Sequence, residues 1–413
     1  MLRANLFRAF WAPAIVVGLV TGLEGQAGGP VVYENGSPDM GSSYAGAGAR
    51  AQDAATVFTN PAGMTRLQGN QLILGVMGVF SDFELDLNSG TVTNPQILDG
   101  GGRQNNFSPG LGSFAVFELA EDWRVGLSIN ALAANGVDYD PSWAGRTFVT
   151  ENFFTVANFQ PSLAYRINEW ISVGTGLNIV YGKLDQELRA DDTLASPTVK
   201  IEEADDWQVG GTFSALFEPV EGTRVGLVYR TEIGLELDGS VEAPVPVDLQ
   251  IDTDFDLPQG LNLSLYQELT PEFAILGDLG WTDWSTFTRQ PLSVGPIAGG
   301  IDRDFEDTYR VGIGLQYRPV PAWTLRTGFS FDSSPSKDKD TLPDLPVGDQ
   351  YRFSIGAQHD FGEGKVFGVS YTALYSDIEI DRVALPPGGT VVIDGDYDRA
   401  LVHFIGLTVS IDF

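Results

Sequence analysis

Few side chains in this sequence are suited to covalent or metal chemistry. The 413 residues include no cysteine and two histidines, His359 and His403. Hydrolytic triads and zinc sites draw mainly on histidine and cysteine, and neither histidine lies beside a recognisable serine motif. We therefore predict no catalytic residue, no metal site and no cofactor, and an enzyme is the weaker alternative.

Carboxylates dominate the charge of the chain. There are 55 Asp and Glu against 24 Lys and Arg, which gives a formal net charge of −31. Nucleic acid is excluded as a partner, because phosphate binding needs clustered basic residues. The acidic clusters 202–206 (EEADD) and 394–398 (DGDYD) resemble fragments of calcium loops but lack the full spacing. We predict that both are solvated loops, with loosely bound divalent cations as the alternative.

The N-terminus has the features of an export signal. Arg3 and Arg8 flank the first residues, 10–23 are mostly apolar, and 25–27 offer small residues for cleavage. We predict that residues 1–26 are a cleaved signal peptide. No other segment approaches the roughly 20 apolar residues of a transmembrane helix. If the protein lies in a membrane, it must cross it with strands.

From Gln71 onward the sequence alternates with a period of two. In "DTYRVGIGLQYR" (307–318) the odd positions from Tyr309 to Tyr317 are apolar with aromatic ends, and the even positions are small or polar. The same pattern recurs in "AWTLRTGFSF" (322–331) and "YRFSIGAQHDF" (351–361). An apolar face bracketed by aromatic residues is typical of a lipid-facing strand. A soluble sandwich would show the same alternation, so the connections must decide.

The connections alternate between tight and long. Tight turns predict six hairpins, and the first and last strands bring the total to fourteen. Short turns at one end and long polar loops at the other are typical of an outer-membrane barrel. The predicted fold is therefore all-β, a fourteen-stranded antiparallel transmembrane β-barrel over residues 69–413. The tight turns are at 118–122, 167–170, 219–223, 269–273, 318–323 and 361–365, and the long stretches are at 88–110, 136–155, 190–204, 239–254, 290–305, 334–349 and 383–398.

A barrel of this width needs something to fill it, because about eight strands already give an interior that wall side chains just fill. Residues 27–68 are rich in Gly, Ala and Ser and can pack closely in a lumen. We predict that they form a plug, called the hatch below. Asn60 followed by Pro61 fits a helix N-cap with Pro in the first turn, or a tight turn, and a plain surface turn is the alternative.

These segments together resemble the FadL/TodX family of outer-membrane transporters for hydrophobic compounds. The resemblance rests on "SSYAGAGARAQDAATVFTNPAGM" (42–64), "LAYRINEWISVGTGLNIVYGKL" (163–184), "LGWTDWSTF" (279–287) and the strands quoted above. It implies a hatch with the motif Asn60, Pro61 and Ala62, and a monomer in the Gram-negative outer membrane. It also implies passive uptake of long-chain fatty acids or other hydrophobic molecules. Import of neutral alkanes or aromatics only, or a plugged adhesive barrel, are the alternatives.

The resemblance also implies candidate ligand-binding residues. Fatty-acid members of the family place a basic residue near the outer end of the fifth strand, where Lys183 and Arg189 are the candidates here. They place a second one just before the Asp-x-Tyr-Arg stretch, where this chain has Glu306. This departure favours a neutral substrate, and we expect a fatty acid to bind no better than an alkane of equal length.

The resemblance further implies that ligand leaves sideways, through a gap at a kink in the third strand. Asn135 and Gly136 interrupt the alternation of the third strand here, because Gly inside a strand pattern often marks a bulge. The alternative is that these two residues begin the loop. Four arginines at even, inward positions could form a ladder that attracts ligand, but we favour a role in holding the hatch. They are Arg230, Arg310, Arg326 and Arg352.

Overall fold

The β-sheet closes on itself. A computed structural model of the chain describes residues 33–88, 102–191, 196–243, 249–384 and 392–413. The predicted signal peptide lies outside the described residues. The first strand, β1, pairs in antiparallel register with the second strand and with the last one. The sheet is therefore a closed barrel of fourteen antiparallel strands, which confirms the predicted fold class.

Nineteen strand segments build these fourteen barrel strands, because five barrel strands are each interrupted once. The interrupted strands combine segments seven and eight, nine and ten, eleven and twelve, thirteen and fourteen, and seventeen and eighteen. In chain order the segments are β1 Gln71–Leu87, β2 Gly102–Ala120, β3 Trp123–Asp138, β4 Glu151–Arg166, β5 Ile171–Arg189, β6 Thr198–Val220, β7 Thr223–Arg230, β8 Ile233–Glu242, β9 Leu249–Leu257, β10 Gly260–Glu268, β11 Phe273–Thr282, β12 Arg289–Val294, β13 Ile297–Asp302, β14 Thr308–Val320, β15 Trp323–Asp332, β16 Asp349–Asp360, β17 Lys365–Asp377, β18 Glu379–Ala384 and β19 Val392–Asp412.

The alternation of the strands separates lipid-facing from lumenal side chains. On β14 Ile313 is 59% exposed, whereas Gln316 is 1% exposed. Val311 and Leu315 share the outward face with Ile313, and Arg310 is buried on the inward face. The apolar face of each strand thus points out and the polar face points in, which is the arrangement required in lipid.

All six predicted tight turns lie between consecutive strand segments. Six of the seven predicted long loops are shorter than expected, and the seventh, predicted at 334–349, lies at 333–348. The acidic clusters 202–206 and 394–398 lie within β6 and β19, so their prediction as loops was wrong. Both strands continue their backbone pairing past the apolar band, with Asp205 opposite Asp238. Strands that extend beyond the bilayer are still stabilised, because their backbone N–H and C=O groups form hydrogen bonds within the hairpin. No cluster of metal-ligating side chains occurs in the described part of the chain.

Inside the barrel, the described hatch starts at Tyr33 and is built from short helical turns. These are a 3₁₀ turn at Pro38–Ser42, helix α1 at Ala47–Arg50, helix α2 at Thr56–Thr59 and a 3₁₀ helix at Pro61–Arg66. None of the helices among the described residues is long and apolar enough to span a membrane. A Cβ on Gly226 of the wall would lie 2.0 Å from the carbonyl oxygen of hatch residue Gly48, so glycine permits this close approach.

Two long loops fold back over the end of the barrel opposite the tight turns. Trp143, in the connection from β3 to β4, and Leu342 and Leu345, in the connection from β15 to β16, are buried. The second loop is held by a buried ion pair in which Arg303 donates to both oxygens of Asp344, at 2.8 and 2.6 Å. Residues of the first and second loops therefore pack against the wall at this end of the barrel, as Trp143 and Leu342 do in one cluster with Val79 and Phe83.

Candidate functional site

The Asn60-Pro61-Ala62 motif fastens the hatch to itself and to the wall. The side-chain oxygen of Asn60 accepts a hydrogen bond from the backbone N–H of Ala62 at 3.0 Å, with Pro61 in the first turn of the following helix. The side-chain amide donates to the carbonyl of Gly48 at 2.6 Å and to that of Ala215 on β6 at 3.1 Å. The predicted N-cap is confirmed. Asn60 is fully buried, which excludes the plain surface turn.

Two wall strands hold the same motif. The backbone N–H of Ala62 also donates to the hydroxyl of Ser214 on β6, at 3.0 Å. On β5, a Cβ at Gly174 would lie 2.4 Å from the nitrogen of Ala62, so only glycine lets the wall come this close. The motif therefore lies between β5 and β6, where a shift of the hatch must break its contacts.

Arginines of the barrel wall bind the hatch through its backbone carbonyls. A guanidinium offers several donors in a fixed plane, which suits carbonyls that the short hatch helices leave unpaired. Of the four arginines named from the sequence, Arg326 is the exception, since it donates to Gln316 and Gln358 of the wall. The hatch contacts are Arg124 to Leu67, Arg166 to Thr65, Arg224 to Ala49, Arg230 to Phe58 and Arg310 to Ser43, all at carbonyl oxygens, and Arg352 to the carboxylate of Glu34.

Two of these arginines share one carboxylate. Arg310 and Arg352 both pair with Asp332, at 2.7 and 2.6 Å. Arg352 also pairs with Glu34 at 3.1 Å, and the ring of Tyr33 lies 4.1 Å from the guanidinium carbon of Arg310. Burial, with a further contribution from Asp332, raises the pKa of Tyr33 to about 12. The Tyr33 hydroxyl is therefore neutral at physiological pH and the arginine charges are balanced by carboxylates.

A cavity of about 160 Å³ lies between the hatch and the wall. The hatch contributes Phe58 and Thr59, the two residues before the Asn-Pro-Ala motif. The wall contributes Arg230 and the apolar residues Leu132 and Val228. Two guanidiniums, those of Arg230 and Arg310, thus line a mainly apolar space. Both arginines were named from the sequence as inward-facing, but the apolar lining beside them was not.

Neither basic residue proposed from the fifth strand lines this cavity. Lys183 lies on the outward face of β5 and pairs with Asp185 on the same face. Arg189 lies at the outer end of β5 and donates to the hydroxyl of Thr198 at 2.6 Å. Odd positions of β5 point away from the lumen, so neither residue faces this cavity. Glu306 is exposed, pairs with Lys337 and does not line the cavity either.

The irregularity of the third strand lies at Leu132. The register of β3 against β4 shifts between Ala131 and Ala133, so that Leu132 is the extra residue of a bulge. Asn135 and Gly136 pair in regular register with Phe154 and Phe153, and both predictions for them, the bulge and the start of a loop, were wrong. Hydrogen bonding along β4 keeps these two residues in the strand, whereas the bulge arises where residues pack against the cavity.

The same part of β3 separates from β2. Pairing of β2 with β3 starts at the tight turn and ends at Ser113 and Ile129, although both strands continue. Farther out, the backbone N–H of Asp138 donates to the side chain of Gln104 at 2.9 Å, which closes the separated stretch. The wall thus contains an unpaired window beside the bulged residue Leu132, and Leu132 also lines the cavity.

Comparison with known proteins agrees with this architecture. The sequence profile described as "Outer membrane protein transport protein (OMPP1/FadL/TodX)" matches residues 18–412. The long-chain fatty acid transport protein of Salmonella typhi is 27% identical over 403 residues, which cover 87% of this chain and 90% of that protein.

Two solved structures share the fold. The crystal structure of a Pseudomonas aeruginosa FadL homologue matches with a TM-score of 0.83 at 18% identity, covering 93% of this chain and 100% of that one. The Pseudomonas putida toluene transporter TodX matches with a TM-score of 0.66 at 16% identity, covering 95% and 100%. The profile spans nearly the whole chain, so this protein belongs to the OMPP1/FadL/TodX family of outer-membrane transport proteins.

Proposed function

We propose that the protein carries hydrophobic molecules passively across the Gram-negative outer membrane. The molecule enters from the side of the long loops and binds in the cavity between the hatch and the wall. Movement of the hatch then releases it sideways, through the window between β2 and β3. The single observation that carries this proposal is that the cavity contacts the hatch at Phe58 and the strand bulge at Leu132.

Physical chemistry favours such a route. Apolar burial contributes roughly 25 cal/mol per Å², so an apolar molecule gains by leaving water for the cavity. Unpaired backbone at membrane depth is costly unless it is covered by protein or lines a cavity. The unpaired stretch of β2 and β3 beside the cavity therefore supports a path for a ligand at this place.

The size of the cavity limits what it can hold. A cavity of about 150 Å³ in another protein takes up benzene, and the present one measures about 160 Å³. It accommodates one aromatic ring or the first few carbons of a chain, whose remainder must extend toward the loops or the window. The Salmonella relative is named for fatty acids and the TodX structure for toluene, and both kinds of molecule fit this space in part.

Deleting Leu132 tests the proposed exit. The deletion removes the extra residue, so β3 regains regular pairing with β4 and its edge moves relative to β2. Because Leu132 also lines the cavity, the deletion should weaken ligand binding. We expect uptake to fall at least severalfold further than this loss of affinity explains, because the window is altered. Uptake is measured with labelled hydrophobic probes in a Gram-negative host that lacks its own transporter.

Deletion of Glu203 is the matched control. The register of β6 against β8 shifts between Glu202 and Asp205, so Glu203 lies in a second bulge that is not part of the cavity. This variant should transport normally. Equal uptake by both deletions would contradict exit at the β2–β3 window, and absence of uptake by the folded unaltered protein would favour a plugged barrel without transport.

A further inference from the structure

We propose that Arg230 binds the carboxylate of an amphiphilic ligand, and that this binding detaches the hatch at Phe58. The inference rests on the proposed function and adds a substrate class and a coupling residue to it. It differs from the expectation based on Glu306, because the cation comes from β7, a strand for which the family resemblance implied no ligand contact.

The charge of Arg230 is not balanced within the described part of the chain. No carboxylate there forms an ion pair with it, and its Nε is buried without a hydrogen-bond partner. Arg310 and Arg352, in contrast, share Asp332. Buried charges in proteins are usually paired, because an isolated one is costly. An anionic ligand would supply the missing partner.

The other charged groups that line the cavity already have partners of their own, so the position beside Arg230 is open to an anionic ligand. The carboxylate of Asp278 lines the cavity, but it accepts hydrogen bonds from the backbone N–H of Gly46 and the hydroxyl of Ser264. Arg310 also lines the cavity, but it is already paired with Asp332. Apolar groups lie beside Arg230, with the ring of Phe58 at 4.8 Å from its guanidinium carbon and with Leu132 also lining the space. The geometry fits a molecule with one anionic end and an apolar body.

The bond that Arg230 makes with the hatch provides the coupling. One terminal nitrogen of its guanidinium donates to the carbonyl of Phe58 at 2.8 Å. A carboxylate can accept two such bonds and carries a full charge, so it competes well against a neutral carbonyl. Phe58 lies two residues before Asn60, hence loss of this bond frees the hatch next to the motif that fastens it.

Binding of a matched pair of probes to the purified full-length protein in nanodiscs tests the anion site. The probes are hexadecanoic acid and its methyl ester, measured at about pH 8, where the acid is ionised. We expect the protein to bind the acid roughly 10- to 100-fold more tightly, the factor that a hydrogen bond to a charged group contributes. Arg230→Gln should abolish this preference, and Arg230→Lys should keep part of it because the charge remains.

Arg224→Gln is the control. Arg224 lies on the same strand, donates to the hatch carbonyl of Ala49 at 2.9 Å and has no ion pair among the described residues, but it does not line the cavity. This variant should keep the preference for the acid. If the wall arginines had only a structural role, Arg224→Gln and Arg230→Gln would change the preference for the acid equally. Loss of the preference in Arg224→Gln, or its persistence in Arg230→Gln, would therefore overturn the assignment.

A thiol reporter tests the coupling. The chain contains no cysteine, so Thr59→Cys introduces a single thiol beside the cavity. Hexadecanoic acid should accelerate labelling of this thiol by a small polar reagent, and the methyl ester should not. The acid should have no effect in the double variant with Arg230→Gln. Equal acceleration by the ester, or unchanged acceleration without Arg230, refutes the coupling.

The outcomes separate the two proposals. If the unaltered protein binds and transports the acid and the ester equally, the transporter stands and the role of Arg230 fails. If it binds and transports neither probe, the proposed function itself fails for this class of molecule.

Discussion

Replacement of Asn60 by alanine should loosen the hatch. The side chain makes three hydrogen bonds, one to the N–H of Ala62 and one each to the carbonyls of Gly48 and Ala215. Alanine removes all three, and because the site is fully buried, water does not readily replace them. Ala62 keeps its bond to Ser214, so the loss falls mainly on the two carbonyls and the cap.

The expected magnitude follows from these bonds. Loss of an N-cap side chain costs about 1 kcal/mol, and each of the two further hydrogen bonds contributes roughly 0.5 to 1.5 kcal/mol. The total is about 2 to 4 kcal/mol against the folded and docked state of the hatch, since two of the three bonds lie within the hatch. The equilibrium population of the undocked hatch should therefore rise roughly 30- to 1,000-fold, since about 1.4 kcal/mol corresponds to a factor of ten.

Hydrogen exchange of the hatch amides provides the assay. We expect faster exchange over residues 47–66 in Asn60→Ala, with unchanged exchange in the barrel strands. Asn60→Ser should lie between the variant and the unaltered protein, because serine keeps a capping oxygen but lacks the amide donors. Unchanged hatch exchange in a correctly inserted Asn60→Ala variant would refute the reasoning.

Three further outcomes follow from other parts of the molecule. Joint replacement of Asn60 and Pro61 should impair uptake and leave barrel assembly intact, and normal uptake by the folded variant would contradict a role of the motif. Gly174→Ala should destabilise docking of the hatch by about 1 to 3 kcal/mol through overpacking, and should speed hydrogen exchange of the hatch amides. Gly277→Ala is the control, because its Cβ would meet no atom closer than 3.9 Å, and it should leave this exchange nearly unchanged. Asp344→Asn should weaken docking of the loop at 333–348 by about 3 to 5 kcal/mol, because it leaves the charge of Arg303 buried without its partner. Limited proteolysis should then cut this loop faster than in the unaltered protein, and an unchanged rate of cleavage would contradict the prediction.

Much of the architecture could be predicted from local patterns. The two-residue alternation of "DTYRVGIGLQYR" assigned the faces of β14 correctly, because the period of a strand fixes which side chains point out. The tight turns could be located because their composition differs from that of the strands. The N-cap at Asn60 could be predicted because it depends on two adjacent residues, one of which is Pro61.

The functional residues were predicted less well. Lys183 was chosen by similarity of position, but its parity on β5 directs it away from the lumen. The bulge at Leu132 leaves no local signal, since "NALAAN" reads as an uninterrupted small-residue strand. Arg230 could have been singled out only by knowing that no carboxylate among the described residues pairs with it, which depends on strands distant in the sequence.

The sequence by itself determined the barrel, its number of strands and the presence of a hatch, because these follow from period, turn composition and the width of the lumen. Only the tertiary structure decided which arginines are paired, where β2 and β3 separate and what lines the cavity. Partnering of a charge is a property of all the groups around it, and here those groups come from the hatch and from wall strands that only closure of the barrel brings together.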